Sequence, residues 1–130
     1  MSAARARALA VHAGGSVGAM ARAGAEQALP AAPGEWPWAT FAVNLAGAVL
    51  LAWLTTRLTE VTAPTRYARF LLGTGFCGAL TTFSTLQVET LRLTRDGHAG
   101  LAAAYAAASL TAGLLLAVAA TVAARRRRYG

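Results

Sequence analysis

The sequence predicts an all-α integral membrane protein of four transmembrane helices, the third broken within the membrane. Three observations carry this. First, 56% of the 130 residues are hydrophobic and only 13% charged, with a mean hydropathy of +0.47. An average soluble domain has about a quarter of its residues charged. A chain this short makes a single domain, here 1–130, and in water it would have no interior large enough to hide that much apolar surface. Second, a mostly apolar run of about 20 residues, enough to cross a bilayer core of about 30 Å, occurs four times. Third, one of those runs contains "GFCGALTTFSTLQVET", residues 75–90, in which glycines precede four closely spaced hydroxyls.

The first segment, 9–29, is rich in Gly and Ala and carries His12 and Arg22. It has a basic start at Arg5 and Arg7, but His12, Gly14, Gly15 and Ser16 make a poor signal-peptide core, so it is expected to be retained. "PAAPGEWPW", with three prolines, ends it. Trp36 and Trp38 there suit the aromatic belt at headgroup level. The second segment is 39–56, "ATFAVNLAGAVLLAWLTT". A polar connector, "RLTEVTAPTR", leads to the third, 67–91, and "RLTRDGHAG" to the uncharged fourth, 101–124. None alternates with the period of two that a strand requires.

The net charge is +7, with twelve Arg and no Lys. Basicity points to nucleic acid or to a membrane surface. Arg125–Arg128 directly follow an apolar run, as a cytoplasmic flank does, and the chain has too few polar residues for a nucleic-acid-binding surface. With the N-terminus inside, Arg5, Arg7, Arg57, Arg66, Arg69 and Arg125–Arg128 lie inside and only Arg92 and Arg95 outside. Both termini are therefore expected in the cytoplasm, in a multi-pass protein of the cell inner (plasma) membrane. Cys77 is the sole cysteine, so no internal disulfide forms, and it reads as a small core residue. No enzyme signature is present. His12 and His98 lie far apart in sequence, and there is no phosphate loop, nucleophile elbow or carboxylate pair.

Polar groups in hydrocarbon mark protein interior or an aqueous path. Asn44 lies mid-span, with Thr40, Gly47 and Ala48 at helical spacing on one small, polar face. It reads either as a structural interhelical hydrogen-bonding group or as an amide donor to a permeating anion. Gly73, Gly75 and Gly78 ahead of Thr81, Thr82, Ser84 and Thr85 permit a helix break, which exposes carbonyl oxygens suited to a hard cation. In a continuous helix those hydroxyls bond back to i−4 carbonyls instead. Phe83 is a packing residue or presents a positive ring edge to an anion. Thr81, Thr85 and Glu89 are expected on one helical face. Tyr105, Ser109, Thr111 and Gly113 make either a hydroxyl track or a packing seam. Arg22, about 20 Å along its helix, either snorkels or draws anions into a vestibule.

"GFCGALTTFST" with Glu89 downstream, "TFAVNLAG" upstream and "GGSVGAMAR" at 14–22 closely resemble the Fluc (CrcB) family of small fluoride channels, over nearly the whole chain. The resemblance implies an antiparallel, dual-topology dimer with two pores along the subunit interface. It also implies a structural, non-transported Na+ at the dimer centre, held by main-chain carbonyls, here those of Gly78 and Thr81. The implied fluoride path takes Asn44, Phe83, Thr40, Ser84, Tyr105 and Ser109, with Glu89 and Arg22 at the pore ends. The chain departs from the family at Leu86, where a second phenylalanine is expected, at Ala39 for a glycine and at Gly113 for a hydroxyl. Fluoride is strongly hydrated, so amide and hydroxyl donors that replace water without trapping the ion suit conduction.

A sequence inserting equally in both orientations carries a balanced charge bias, and nine arginines against two is not balanced. The dimer is therefore either of two copies or of this chain with a homologous subunit of opposite orientation. Competing functions are a small four-helix, antiparallel, proton-coupled exporter of cationic compounds, and a non-transporting scaffold. The exporter depends on a membrane-centred Glu in its first helix, whereas Glu26 lies near the end of that span.

Overall fold

The computed structural model describes residues 2–61 and 66–126, and all regular structure among them is helical. Helix α1 (Ala3–Ala28) is dominated by Ala, the strongest helix former, and Ser2 caps it by accepting from the Arg5 amide at 3.3 Å. It ends just before Pro30. Helix α2 (Trp38–Thr56) starts directly after Pro37 and continues into a π-helical turn, Arg57–Val61. The third arm comprises α3 (Arg66–Ala68), a π-helix over Arg69–Cys77 and α4 (Gly78–Leu80). Thr81 and Thr82 are extended, and helix resumes as α5 (Phe83–Arg95). A turn through Gly97, at φ 84°, leads to α6 (Ala99–Arg126).

Alpha1 and the third arm run side by side in the same direction, in backbone contact. A Cβ on Gly14 would collide with the Leu71 carbonyl, one on Gly18 with that of Phe76, and one on Gly75 with that of Val11. Such small-residue contacts let helices associate where no hydrophobic effect drives them together. Alpha2 packs against α6, with α6 reaching the Arg57–Val61 turn at its far end. Arg7 lies over the Phe70 ring at 5.8 Å, and Arg57 over Trp53 at 5.8 Å. This topology gathers Arg5, Arg7, Arg57, Arg69, Arg125 and Arg126 at one end, with Arg92 and Arg95 at the other. Arg127 and Arg128 lie outside the described residues.

At the latter end Leu86, Leu93, Ala102 and Tyr105 form a buried cluster, with Trp36, Phe41 and Leu101 packed on it. Of the two tryptophans expected at a headgroup belt, Trp38 is exposed and Trp36 is half-buried. The Trp36 ring meets Tyr105 edge-on at 5.5 Å and Phe41 at 5.4 Å, and Trp38 lies beside it at 5.8 Å. Elsewhere the surface is apolar: Phe83, Leu110, Leu114 and Leu115 are 60% to 69% exposed. Trp38–Thr59 and Ala99–Arg126 are long and apolar enough to cross a membrane. Helix α1 has the length but carries charges, and the third arm is interrupted. The arrangement is that of an all-α membrane protein.

Candidate functional site

The site is organised around the break. Thr81 closes the arm before it: its amide donates to the Cys77 carbonyl at 3.1 Å and its hydroxyl to the same oxygen at 2.9 Å. Thr81 then turns extended (φ −83°, ψ 150°), as does Thr82 (φ −147°, ψ 118°). Thr82 caps α5. Its Oγ1 accepts from the Thr85 amide at 3.2 Å, donates to Thr85 Oγ1 at 3.0 Å and lies 3.3 Å from Ser84 Oγ. Asn44, from the middle of α2, pairs with both backbone groups of Thr82. Its Oδ1 accepts from the Thr82 amide at 2.8 Å, and its Nδ2 donates to the Thr82 carbonyl at 3.0 Å. That leaves one Asn44 amide hydrogen with no acceptor among the described residues. Asn44 is thus an interhelical structural group, with one donor to spare.

Glu89 joins three helices. Thr40 of α2 donates to its Oε1 at 2.8 Å, and Tyr105 of α6, fully buried, donates to its Oε2 at 2.7 Å. Thr81, Thr85 and Glu89 do not share one helical face, because the break separates Thr81 from the helix that carries the other two.

Two cavities flank this framework. One, of about 390 Å³, lies at the break and is lined by Asn44, Thr82, Phe83, Leu86 and Ser109, with no charged side chain. Ser109 Oγ is buried there with no hydrogen-bond partner. The other, of about 510 Å³, is lined by Arg22, Glu26, Thr85, Glu89, Arg92 and Asp96. The cavities adjoin where Thr82 of one is hydrogen bonded to Thr85 of the other.

The structure thus brings Thr40, Glu89 and Tyr105 into direct contact, and Asn44, Phe83, Leu86 and Ser109 around one cavity. Arg22 is placed with Glu89 on the second, and Ser84 beside Thr82. Phe83 is exposed, whereas Leu86 is buried. Gly78 is exposed with open space beside its Cα, and Thr81 is half-buried. Thr111 bonds back to the Ala107 carbonyl at 2.7 Å, which takes it out of any track.

Two further residues matter at the break. Thr82 is the N-cap of α5, a role that a Thr opening a helix after a break signals in the sequence. Gly47 receives the Thr81 methyl group, a contact that its small size permits and that sequence spacing does not reveal.

The sequence matches known proteins along most of its length. Residues 9–121 match the family described as "CrcB-like protein, Camphor Resistance (CrcB)". A Mycobacterium bovis protein named "Fluoride-specific ion channel FluC 1" is 54% identical over 92% of this chain and 90% of its own length. Chlorobaculum tepidum "Fluoride-specific ion channel FluC" is 46% identical over 82% of this chain and 84% of its own. Geobacillus kaustophilus "Fluoride-specific ion channel FluC 2" is 42% identical over 92% and 94%. The helical arms, the break and this match across most of the length lead to one conclusion: the chain belongs to the CrcB family.

Proposed function

We propose that the protein is a fluoride-specific ion channel, not an enzyme, that lets fluoride leave the cytoplasm passively and so lowers its toxicity. The observation that carries this is the uncharged cavity at the break. It holds a spare amide hydrogen on Asn44 and an unpartnered buried hydroxyl on Ser109. Buried polar groups nearly always have partners, so an orphan hydroxyl beside a spare donor is a place for an anion to replace its water. Phe83 lines the same cavity and offers its positive ring edge. Thr40, Ser84, Glu89, Tyr105 and Arg22 continue the path toward the second cavity. The names of the relatives support fluoride as the ion.

The functional unit is an antiparallel dimer in the cell inner (plasma) membrane, with this chain's termini cytoplasmic. The exposed Phe83, Leu110 and Leu114 then face the partner subunit or lipid. The arginine asymmetry favours a homologous partner of opposite orientation over a second copy. Numbered relatives from one organism, FluC 1 and FluC 3 of Streptomyces avermitilis, agree with paired homologues. A structural sodium ion at the dimer centre fits the donor chemistry, because the carbonyls of Gly78 and Thr81 are hard oxygen ligands at a helix break. Such an ion supplies positive potential beside the path without lying in it. The exporter reading finds no support, because Glu26 is exposed in the last turn of α1.

Fluoride efflux from proteoliposomes, with chloride as control, tests the proposal. Fluoride is expected to leave and chloride to stay, and Asn44→Asp, which sets a carboxylate on the anion path, is expected to abolish the flux. Undiminished efflux from folded Asn44→Asp protein contradicts the assignment of Asn44 to the path.

A further inference from the structure

The hydrogen bonds around the break select particular carbonyls. In an unbroken α-helix the amide of residue i+4 closes the carbonyl of residue i. The amide that would close Gly78 is that of Thr82, and it donates instead to Asn44 Oδ1 at 2.8 Å. The amide that would close Thr81 is that of Thr85, and it donates instead to Thr82 Oγ1 at 3.2 Å. The break opens four carbonyls, Gly78 to Thr81. Side chains capture the amides belonging to the first and the last of them.

We infer that Asn44 and Thr82 are positioning residues for the cation site: each removes a competing amide and so keeps one carbonyl, of Gly78 and of Thr81 respectively, available to the ion. This rests on the sodium reading given above and assigns to it two side chains that do not touch the ion. It also gives Asn44 a second task. One face of its amide holds the break open for a cation, while the spare hydrogen points to the anion path, so a single side chain joins the two sites. Thr82 works within its own segment, capping α5 with the oxygen that releases Thr81. Replacing either side chain with alanine returns an unpaired amide to the break, and that amide competes for the same carbonyl.

The test is the sodium dependence of thermal unfolding, measured on the full-length dimer at constant ionic strength. A purely structural role lowers the midpoint equally at every sodium concentration. The inferred role moves the concentration that gives half-maximal protection. For Asn44→Ala and for Thr82→Ala this concentration is expected to rise about tenfold, the worth of one typical hydrogen bond. Thr82→Ser keeps the capping oxygen and is expected to keep the native value. Asn44→Asp keeps an acceptor for the Thr82 amide, so its value is expected to be no higher than native although fluoride flux is lost. Unchanged values in both alanine variants overturn the inference while leaving the sodium reading intact. Native protein with no sodium protection overturns both.

If the alanine variants do not fold, hydrogen exchange on the native protein decides. The Thr82 and Thr85 amides are expected to exchange more slowly than those of Phe83 and Ser84, which find no acceptor among the described residues. Equal exchange across the four overturns the inference.

Discussion

Gly47 of α2 lies directly against the methyl group of Thr81, so closely that a Cβ on Gly47 would collide with Thr81 Cγ2. Gly47 follows Asn44 by three residues, so one face of α2 meets the break twice, with an amide on Thr82 and with empty space for Thr81. Gly47→Ala is expected to force the break apart at a cost of about 1–3 kcal/mol, as overpacking does. Thr81→Ser removes the colliding methyl and keeps the hydroxyl that donates to Cys77. The double variant is therefore expected to regain most of the stability lost by Gly47→Ala. Thermal unfolding of the three variants checks this.

The Glu89 carboxylate accepts from both Thr40 and Tyr105. Tyr105→Phe leaves one oxygen of the half-buried Glu89 without its donor. The expected loss is about 1.5–3 kcal/mol, the worth of a hydrogen bond to a charged group, together with slower fluoride efflux. Denaturant unfolding in detergent measures the first, and proteoliposome efflux the second.

The glycines differ in what surrounds them. At Gly14, Gly18 and Gly75 a methyl group would strike the backbone of the neighbouring helix, whereas at Gly24 and Gly100 nothing lies within 4 Å. Alanine at any of the first three is expected to abolish folding or dimer recovery on size-exclusion chromatography. Gly24→Ala is expected to leave recovery unchanged and to stabilise α1 by about 0.5–1 kcal/mol, the helix penalty of glycine.

The arginines gathered at one end of the molecule predict a single insertion orientation. A reporter fused to the C-terminus, in cells expressing this chain alone, is expected to signal only from the cytoplasm. Equal signal from both sides would show that the chain inserts both ways and pairs with its own copy.

The break was legible in the sequence because glycines followed by clustered hydroxyls let a membrane helix open and re-satisfy its backbone. What holds it open was not, because Asn44 lies 38 residues from Thr82 and only tertiary structure brings them together. The face shared by Thr81, Thr85 and Glu89 failed for a related reason: helical spacing cannot be carried across a break whose position is not yet known. The π-helix at Arg69–Cys77 left no trace either, since nine residues span too few turns for their pattern to distinguish 3.6 residues per turn from a wider winding. The contact of Trp36 with Tyr105 was not legible either, because the two rings lie 69 residues apart in sequence and meet only in the folded chain.

The most direct test is the reversal potential of the reconstituted protein in a planar bilayer, under a tenfold fluoride gradient with chloride and pH equal on the two sides. Passive fluoride selectivity predicts a reversal of about 59 mV with the sign set by fluoride, unmoved when a proton gradient is added. A reversal near zero, or one that follows protons or chloride, would contradict the account.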